Sequence, residues 1–509
     1  MQVRTFHFPL VCGSHLRRAG IDGWALRAVQ ALYADVPMCV KTQVGYTHCF
    51  ATRMGVKQGC PLSPILFGLY LDDFETGLLE QLGAEAAALP CWASGKPLPP
   101  LFYADDQALL STNPEGLTMQ LQYLASYCAK WGLTVNTKKT KVCIYAAAAP
   151  RNAPEFEFEG EKVERVPTFR YLGVQLHATH AFCSAASARA MAGQQAAGLL
   201  RRRMGECGLG DCPPLAMELF DTYVRPVMSY GAEVWAPQLV LQALRGGSKG
   251  ADACERVHLQ FLRSLLGVRD TSPTLLVLSE TGRLPLAVQW AGQTARFISK
   301  LVEHDESRVA KQAFLDSVEL AASGAAAGRG RQCWAAEVGQ ILDLLGGPKL
   351  CPDQLPNSID AEQIAQAAAD IHYARYHGGS AMVTRYQAQI LGAPVAEDTY
   401  GPASYLGTVP RRRRRVLARA RTGCSDWLAE DTGRTQGLDR AQRGCPHCGA
   451  QLQSLQHALM ECPRYAALRS EYSDLFLPVT SLAELLGGPD QLRLSSFVER
   501  CRVASQEDH

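Results

Sequence analysis

Apolar residues at Trp24, Leu26, Val29, Leu32 and Tyr33 recur at helical spacing behind a Gly-rich entry, which predicts a helix near 23 to 35. Strand-like stretches follow at 38 to 54. In GVKQGCPLSPILFGLYLDDFETGLLEQL a Gly and Pro loop then runs into an apolar helix from about Ser63 to Leu82. FYADDQALL, residues 102–110, sets two adjacent carboxylates between apolar flanks. The flanks read as two short buried strands, so Asp105 and Asp106 fall at or near the tight turn joining them. Next come an amphipathic helix in EGLTMQLQYLASYCAKWGL, a Lys-rich strand pair in TVNTKKTKVCIY, and a strand in TFRYLGVQL with Gly173 near its middle. From 181 to 400 the chain is Ala-rich and largely helical. A five-Arg run, a Cys and His cluster and a short polar tail close it.

With 509 residues, 47% of them hydrophobic and 20% charged, the chain has ordinary globular composition and room for several cores. A formal net charge of +2 requires any nucleic-acid affinity to come from local basic patches rather than a global field. The 18 cysteines are irregularly scattered and follow no secretory leader, which points to reduced thiols, a cytosolic or nuclear compartment and no secretion. No apolar run approaches the roughly 20 residues of a membrane span, so a soluble chain without a membrane partner is expected.

Two neighbouring carboxylates disfavour each other's ionisation unless water or a cation neutralises them. A divalent ion such as Mg²⁺ would take one or two of them and fill its shell with phosphates and water. A plain surface turn explains the same pair, and so its neighbours decide. Asp72 and Asp73 form a second pair, at helical spacing with Glu75, and read as a solvated helix face. Near the C-terminus, Cys445, Cys448, His457 and Cys462 follow CxxC, eight residues, His, four residues and Cys, a set that suits tetrahedral Zn²⁺. His447 competes as a ligand but fits less well. Arg411, Arg412, Arg413, Arg414 and Arg415, with Arg419 and Arg421, offer phosphate contacts; a nuclear-localisation signal or a solvated helix face has the same composition.

With GVKQGCPLSPILFGLYLDDFE upstream of FYADD, and GLTVNTKKTKVCIY and FRYLGVQL downstream, the chain resembles the reverse transcriptase of non-LTR (LINE-type) retrotransposons. The four stretches correspond to that family's motifs B, C, D and E in order. YVRPVMSYGAEVW looks like its thumb and CPHCGAQLQSLQHALMECPRY like its zinc-knuckle-like module. The resemblance implies an α+β chain: a partial right-hand polymerase palm with fingers over 1–180, a helical thumb over 181–290 and a helical connector over 291–400. A basic segment with a CCHC zinc module over 401–470 and a tail over 471–509 complete it.

It further implies RNA-directed DNA polymerase activity. Asp105 would be a shared ligand of Mg²⁺ or Mn²⁺ with Asp106 beside it, and Tyr103 would pack near the primer terminus. Gln58 and Gly59 would meet template or nucleotide, although Gly59 and Pro61 also serve simply to shape a loop. Lys138, Lys139 and Lys141 would line the triphosphate path, one of them protonating the leaving pyrophosphate. Gly173 would bend a hairpin that supports the primer. Implied partners are an RNA template, a DNA primer or target, dNTP and an element-encoded polypeptide.

The family's motif A acid is expected upstream of Gly20, at or before Met1, and residues 1 to 16 hold no Asp or Glu. Asp22 and Asp35 lie on the wrong side. The expectation is therefore the latter part of a polyprotein, with FHFPLV as a makeshift strand. A catalytically inactive remnant that only binds nucleic acid is the alternative.

Overall fold

The computed structural model describes residues 8–34, 36–52, 59–145, 154–179, 182–246, 252–324, 333–397 and 400–507. They fall into two units, Met1–Tyr171 with Leu176–Ala181, and Leu172–Gln175 with Phe182–His509.

The first unit mixes helices with small sheets. Helix α1 (Phe8–Arg18) takes in the last four residues of FHFPLV, where a makeshift strand is expected, and Phe6 and His7 lie outside the described residues. Pro9 is harmless in a first turn, where its missing N–H has no acceptor, and the helix buries Leu16 and lays His15 against the rings of Tyr70 and Trp131 at 5.6 and 4.7 Å. Helix α2 (Gly23–Ala34) matches the predicted span. Strands β1 (Val36–Met38) and β4 (Phe50–Thr52) pair antiparallel, and β2 (Lys41–Thr42) pairs with β3 (Gly45–Tyr46).

The single helix expected from Ser63 to Leu82 is two, α3 (Leu62–Leu71) and α4 (Phe74–Ala86), interrupted at Asp72 and Asp73. The interruption turns Asp73 inward, where its carboxylate accepts from Tyr127 Oη at 2.6 Å and pairs with Arg18 at 3.4 Å. Asp73 is therefore a structural acid, while Asp72 and Glu75 face solvent as expected. Phe74 begins α4 and meets Phe102, Tyr123 and Tyr127 edge-on at 5.2, 5.1 and 4.9 Å. Two of these partners lie on α5 (Pro114–Trp131), which Asn113 caps by accepting from the Gly116 N–H.

Strands β5 (Leu101–Tyr103) and β6 (Asp106–Ala108) form the hairpin predicted from FYADDQALL. They are half-buried rather than buried, since a two-stranded ribbon has only one face to press on Phe74. The lysine-rich strand pair is not formed. Asn136 holds a turn there, its carbonyl accepting from the Lys139 and Thr140 N–H groups at 3.1 and 3.0 Å, and only β7 (Lys141–Val142) is strand. It lies parallel to β9 (Glu161–Arg165), which pairs antiparallel with β8 (Phe156–Phe158). A last hairpin joins β10 (Thr168–Tyr171) to β11 (Val174–His177), so Gly173 sits at a tip and not in mid-strand.

The second unit is helical from α6 (Cys183–Glu206) to the helix Gln491–Gln506, around one continuous core. The expected polar tail belongs to that core. Leu494, Phe497, Val498 and Cys501 recur at helical spacing and are buried, as are Leu482, Leu485 and Leu486 of the preceding helix. Charged residues between them obscure the stripe in the sequence. Among the described residues, no helix is long and apolar enough to cross a membrane.

Candidate active site and metal centre

Tyr103 pairs with Asp106 across the β5–β6 hairpin, leaving Ala104 and Asp105 as its two-residue tip. Ala104 takes a left-handed φ of 51°, a conformation that costs an alanine free energy and persists only where the surrounding fold holds it. Strand alternation sends Phe102 onto Phe74 and Tyr103 outward, 65% exposed. Asp106 is exposed and Asp105 half-buried. A cleft of about 500 Å³ runs beside Tyr103 and Ala104, with Gly68 and Leu71 in its wall and Asp72 and Glu75 at its rim. Among the described residues no third His, Cys, Asp or Glu joins the acid pair as a ligand group.

Tyr171, which sequence reasoning does not single out, ends β10 near these acids. Burial and the Asp106 carboxylate raise its hydroxyl above the usual tyrosine range, keeping it a neutral donor. Of the three lysines, Lys141 pairs with Glu164, while Lys138 and Lys139 are exposed on the Asn136 turn. Gly59 has φ 84° in the turn before α3, with nothing within 4 Å of where a Cβ would stand. This φ demands glycine for the loop itself, and the open space beside it leaves room for a close approach. Gln58 lies outside the described residues.

The four C-terminal Cys and His residues converge. One donor atom from each of Cys445, Cys448, His457 and Cys462 lies within 4.8 Å of all the others. Cys445 Sγ and Cys448 Sγ are 3.8 and 3.9 Å from Cys462 Sγ, and Cys448 Sγ is 3.2 Å from His457 Nε2. A tetrahedron with Zn–S bonds of about 2.3 Å has S···S edges of about 3.8 Å. The loop carrying the CxxC pair closes through Cys445 N–H to Ala450 O at 2.8 Å, with Gly449 left-handed at φ 74°. His457 and Cys462 bracket one turn of π-helix, the Cys462 N–H donating to His457 O at 2.7 Å. The other ring nitrogen of His457 faces Glu461 at 3.6 Å, the supporting carboxylate that a ligating histidine commonly has behind it. His447 turns away, to Ser505 Oγ at 3.3 Å. Cys445, Leu459, Cys462 and Tyr465 also belong to the unit's core, so a metal here does not stand in for a missing one.

Arg411–Arg421 is a helix, and its arginines divide by face. Arg414 is buried and paired with Asp211, while Arg413 pairs with Glu499 at 3.3 Å. Arg421 is buried against Glu280. The opposite face forms a concave surface of about 790 Å³ lined by Arg411, Arg412, Arg415, Arg419 and, from the last helix, Arg502. Asp426 pairs with Arg502 at 3.2 Å and Arg419 at 3.6 Å, leaving the basin strongly positive.

The hairpin with its acid pair thus follows a Gly and Pro loop with its helix and precedes a second hairpin. Residues 22–176 match the family described as reverse transcriptase (RNA-dependent DNA polymerase). The retrotransposon resemblance is borne out by the relatives. Two Pol polyproteins from the type-1 retrotransposable element R2 of Popillia japonica are 27% identical over 171 residues and 31% identical over 166, covering 32% and 31% of this chain. The chain spans only about a quarter of their lengths, 27% and 23%. A transposon-derived protein of Caenorhabditis elegans is 29% identical over 221 residues, which cover 40% of this chain and 74% of that protein.

Proposed function

We propose that the chain is the polymerase portion of a non-LTR retrotransposon protein, an RNA-directed DNA polymerase that adds deoxynucleotides to a DNA primer on an RNA template. The observation that carries this reading is the β5–β6 hairpin, where Asp105 at the tip and Asp106 beside it stand in the segment that matches the reverse transcriptase family. Hard oxygen donors on a tight tip suit Mg²⁺ or Mn²⁺. When bound, such ions clamp the attacking and leaving oxygens of an in-line phosphoryl transfer. Asp105 and Asp106 would hold them. Outward-facing Tyr103 supports the primer's last base, Gly59 and Gln58 admit the nascent pair, and Lys138 or Lys139 supplies positive charge to the triphosphate. Gly173 forms the bend of the primer-supporting hairpin. In this reading the helices over 181–290 are the thumb, those over 291–400 a connector, and 401–470 a basic segment with a structural Zn²⁺ site at Cys445, Cys448, His457 and Cys462. The five-arginine basin holds template or target phosphates, with Arg413 and Arg414 serving mainly to fix its helix. Partners are RNA template, DNA primer or target, and dNTP.

The test is Mg²⁺-dependent primer extension on an RNA template by the purified chain, beside Asp105→Asn. Extension abolished in the variant is the expected result. An Asp105→Asn chain that extends as well as its parent would remove the acid pair from the mechanism.

A further inference from the structure

The tip of the β10–β11 hairpin is strained. Leu172 has φ 45° and Gly173 φ 86°, so a non-glycine residue holds a left-handed conformation beside a glycine that needs one. Both tip carbonyls are captured by side chains of the second unit, to which Leu172–Gln175 belongs. Tyr230 Oη donates to Leu172 O at 2.9 Å, and Arg189 Nη2, from α6, donates to Gly173 O at 2.8 Å. The Arg189 guanidinium also lies over the Tyr230 ring, 5.5 Å from its centroid, so the two donors brace each other. A Cβ on Gly173 would stand 2.9 Å from Tyr230 Cε1.

Tyr230 is itself firmly mounted. It interrupts the helices Arg225–Ser229 and Ala232–Trp235, with Gly231 left-handed at φ 68°, and this break aims its ring outward. Trp235 Nε1 donates to Tyr230 O at 2.9 Å, and Trp290 Nε1 to Ser229 Oγ at 2.9 Å. The indoles of Trp235 and Trp290 pack edge to face at 5.2 Å in the core. The outer side of Tyr230 is half-exposed and, with Leu172, Val174, Pro226 and Val234, walls an open groove of about 540 Å³. A rigid, strained tip with an amphipathic aromatic beside it is suited to hold one strand in a fixed position.

We infer that Arg189 and Tyr230 are positioning residues for the primer strand: they fix the Leu172 and Gly173 tip so that the groove beside it meets the end of the primer. This rests on the polymerase reading above. The test compares the parent with Tyr230→Phe, which keeps the ring and removes the donor, and with Arg189→Met. Two readouts are taken on each: amide exchange across 171–175, and the ratio of affinity for a recessed primer–template over the same RNA single-stranded, by fluorescence anisotropy. The expected result is faster exchange at the tip and a ratio reduced about fivefold, the scale of one missing hydrogen bond, with single-strand affinity unchanged. If either readout stays at the parent value in both variants, the inference is overturned. Neither readout needs turnover, so a parent chain that binds but fails to extend primers counts against the polymerase reading alone.

Discussion

Arg421 Nε donates to both carboxylate oxygens of Glu280, at 2.9 and 3.0 Å, and the hydroxyls of Tyr386 and Tyr405 donate to the same carboxylate at 2.6 Å each. Glu280 and Arg421 are both buried, so the pair is held by its geometry and not by solvent. Removing one partner leaves an uncompensated charge in the core. Arg421→Ala should lower the stability of the chain by about 3–5 kcal/mol, measured by urea unfolding. An Arg421→Met, Glu280→Gln double variant should recover part of that stability, because no charge is left in the core and the amide oxygen still accepts from the Tyr386 and Tyr405 hydroxyls.

The other face of that helix behaves differently. Arg411→Gln with Arg412→Gln should leave stability within about 0.5 kcal/mol, since both arginines are exposed and Glu499, which pairs with Arg412 at 2.9 Å, keeps Arg413 as a partner. Nucleic-acid affinity should fall for every sequence tested. The slope of log affinity against log salt should shrink by about 0.7–0.9 for each phosphate that the basin no longer neutralises, and an unchanged slope would exclude the basin from binding the nucleic-acid backbone.

Purified chain should carry one equivalent of Zn²⁺ by metal analysis, absent from Cys448→Ser and retained in His447→Ala, because His447 faces Ser505 and not the thiols. Chelation should shift the unfolding midpoint of the C-terminal region to lower urea without abolishing its cooperative transition. The ligands share a core with the helix Gln491–Gln506, which remains when the metal leaves.

Glu337 supplies a pH dependence. Burial raises its carboxyl from 4.5 to about 7, so the native chain keeps a proton that the unfolded chain has released. Stability therefore falls as pH rises from about 4.5 through 7 and is flat above. Glu337→Gln should stabilise by about 2 kcal/mol at pH 8, allowing for partial solvent screening, and by almost nothing at pH 4. Urea titrations at the two pH values check it.

Features set by neighbours in sequence were legible; those set by distant partners were not. The FYADD hairpin follows from strand alternation and a two-residue turn, and the gathering of Cys445, Cys448, His457 and Cys462 from their spacing. The break at Asp72 and Asp73 depends on Tyr127, 54 residues beyond Asp73, and nothing local announces it. Asn136, by contrast, is a visible signal: a turn former ahead of two lysines that argues against a strand there. The arginine run reads as uniformly basic, yet identical letters at a 3.6-residue period must alternate between core and solvent. Arg414 and Arg421 fall seven apart on the buried face, and Arg411 and Arg415 four apart on the other. Tyr230 and Arg189 give no signal beyond the Tyr-Gly break, since their target is a backbone carbonyl and any donor at the right place in space would serve.

His457 and Cys462 are five residues apart, an interval that a regular α-helix of 3.6 residues per turn would swing about 140° out of line. The π turn between them gathers both onto one side. The site is thus written in chain length as much as in residue type. A one-codon deletion within 458–461 would spare Cys445, Cys448, His457 and Cys462 and still pull them apart, so natural variation here should tolerate substitution far more readily than insertion or deletion.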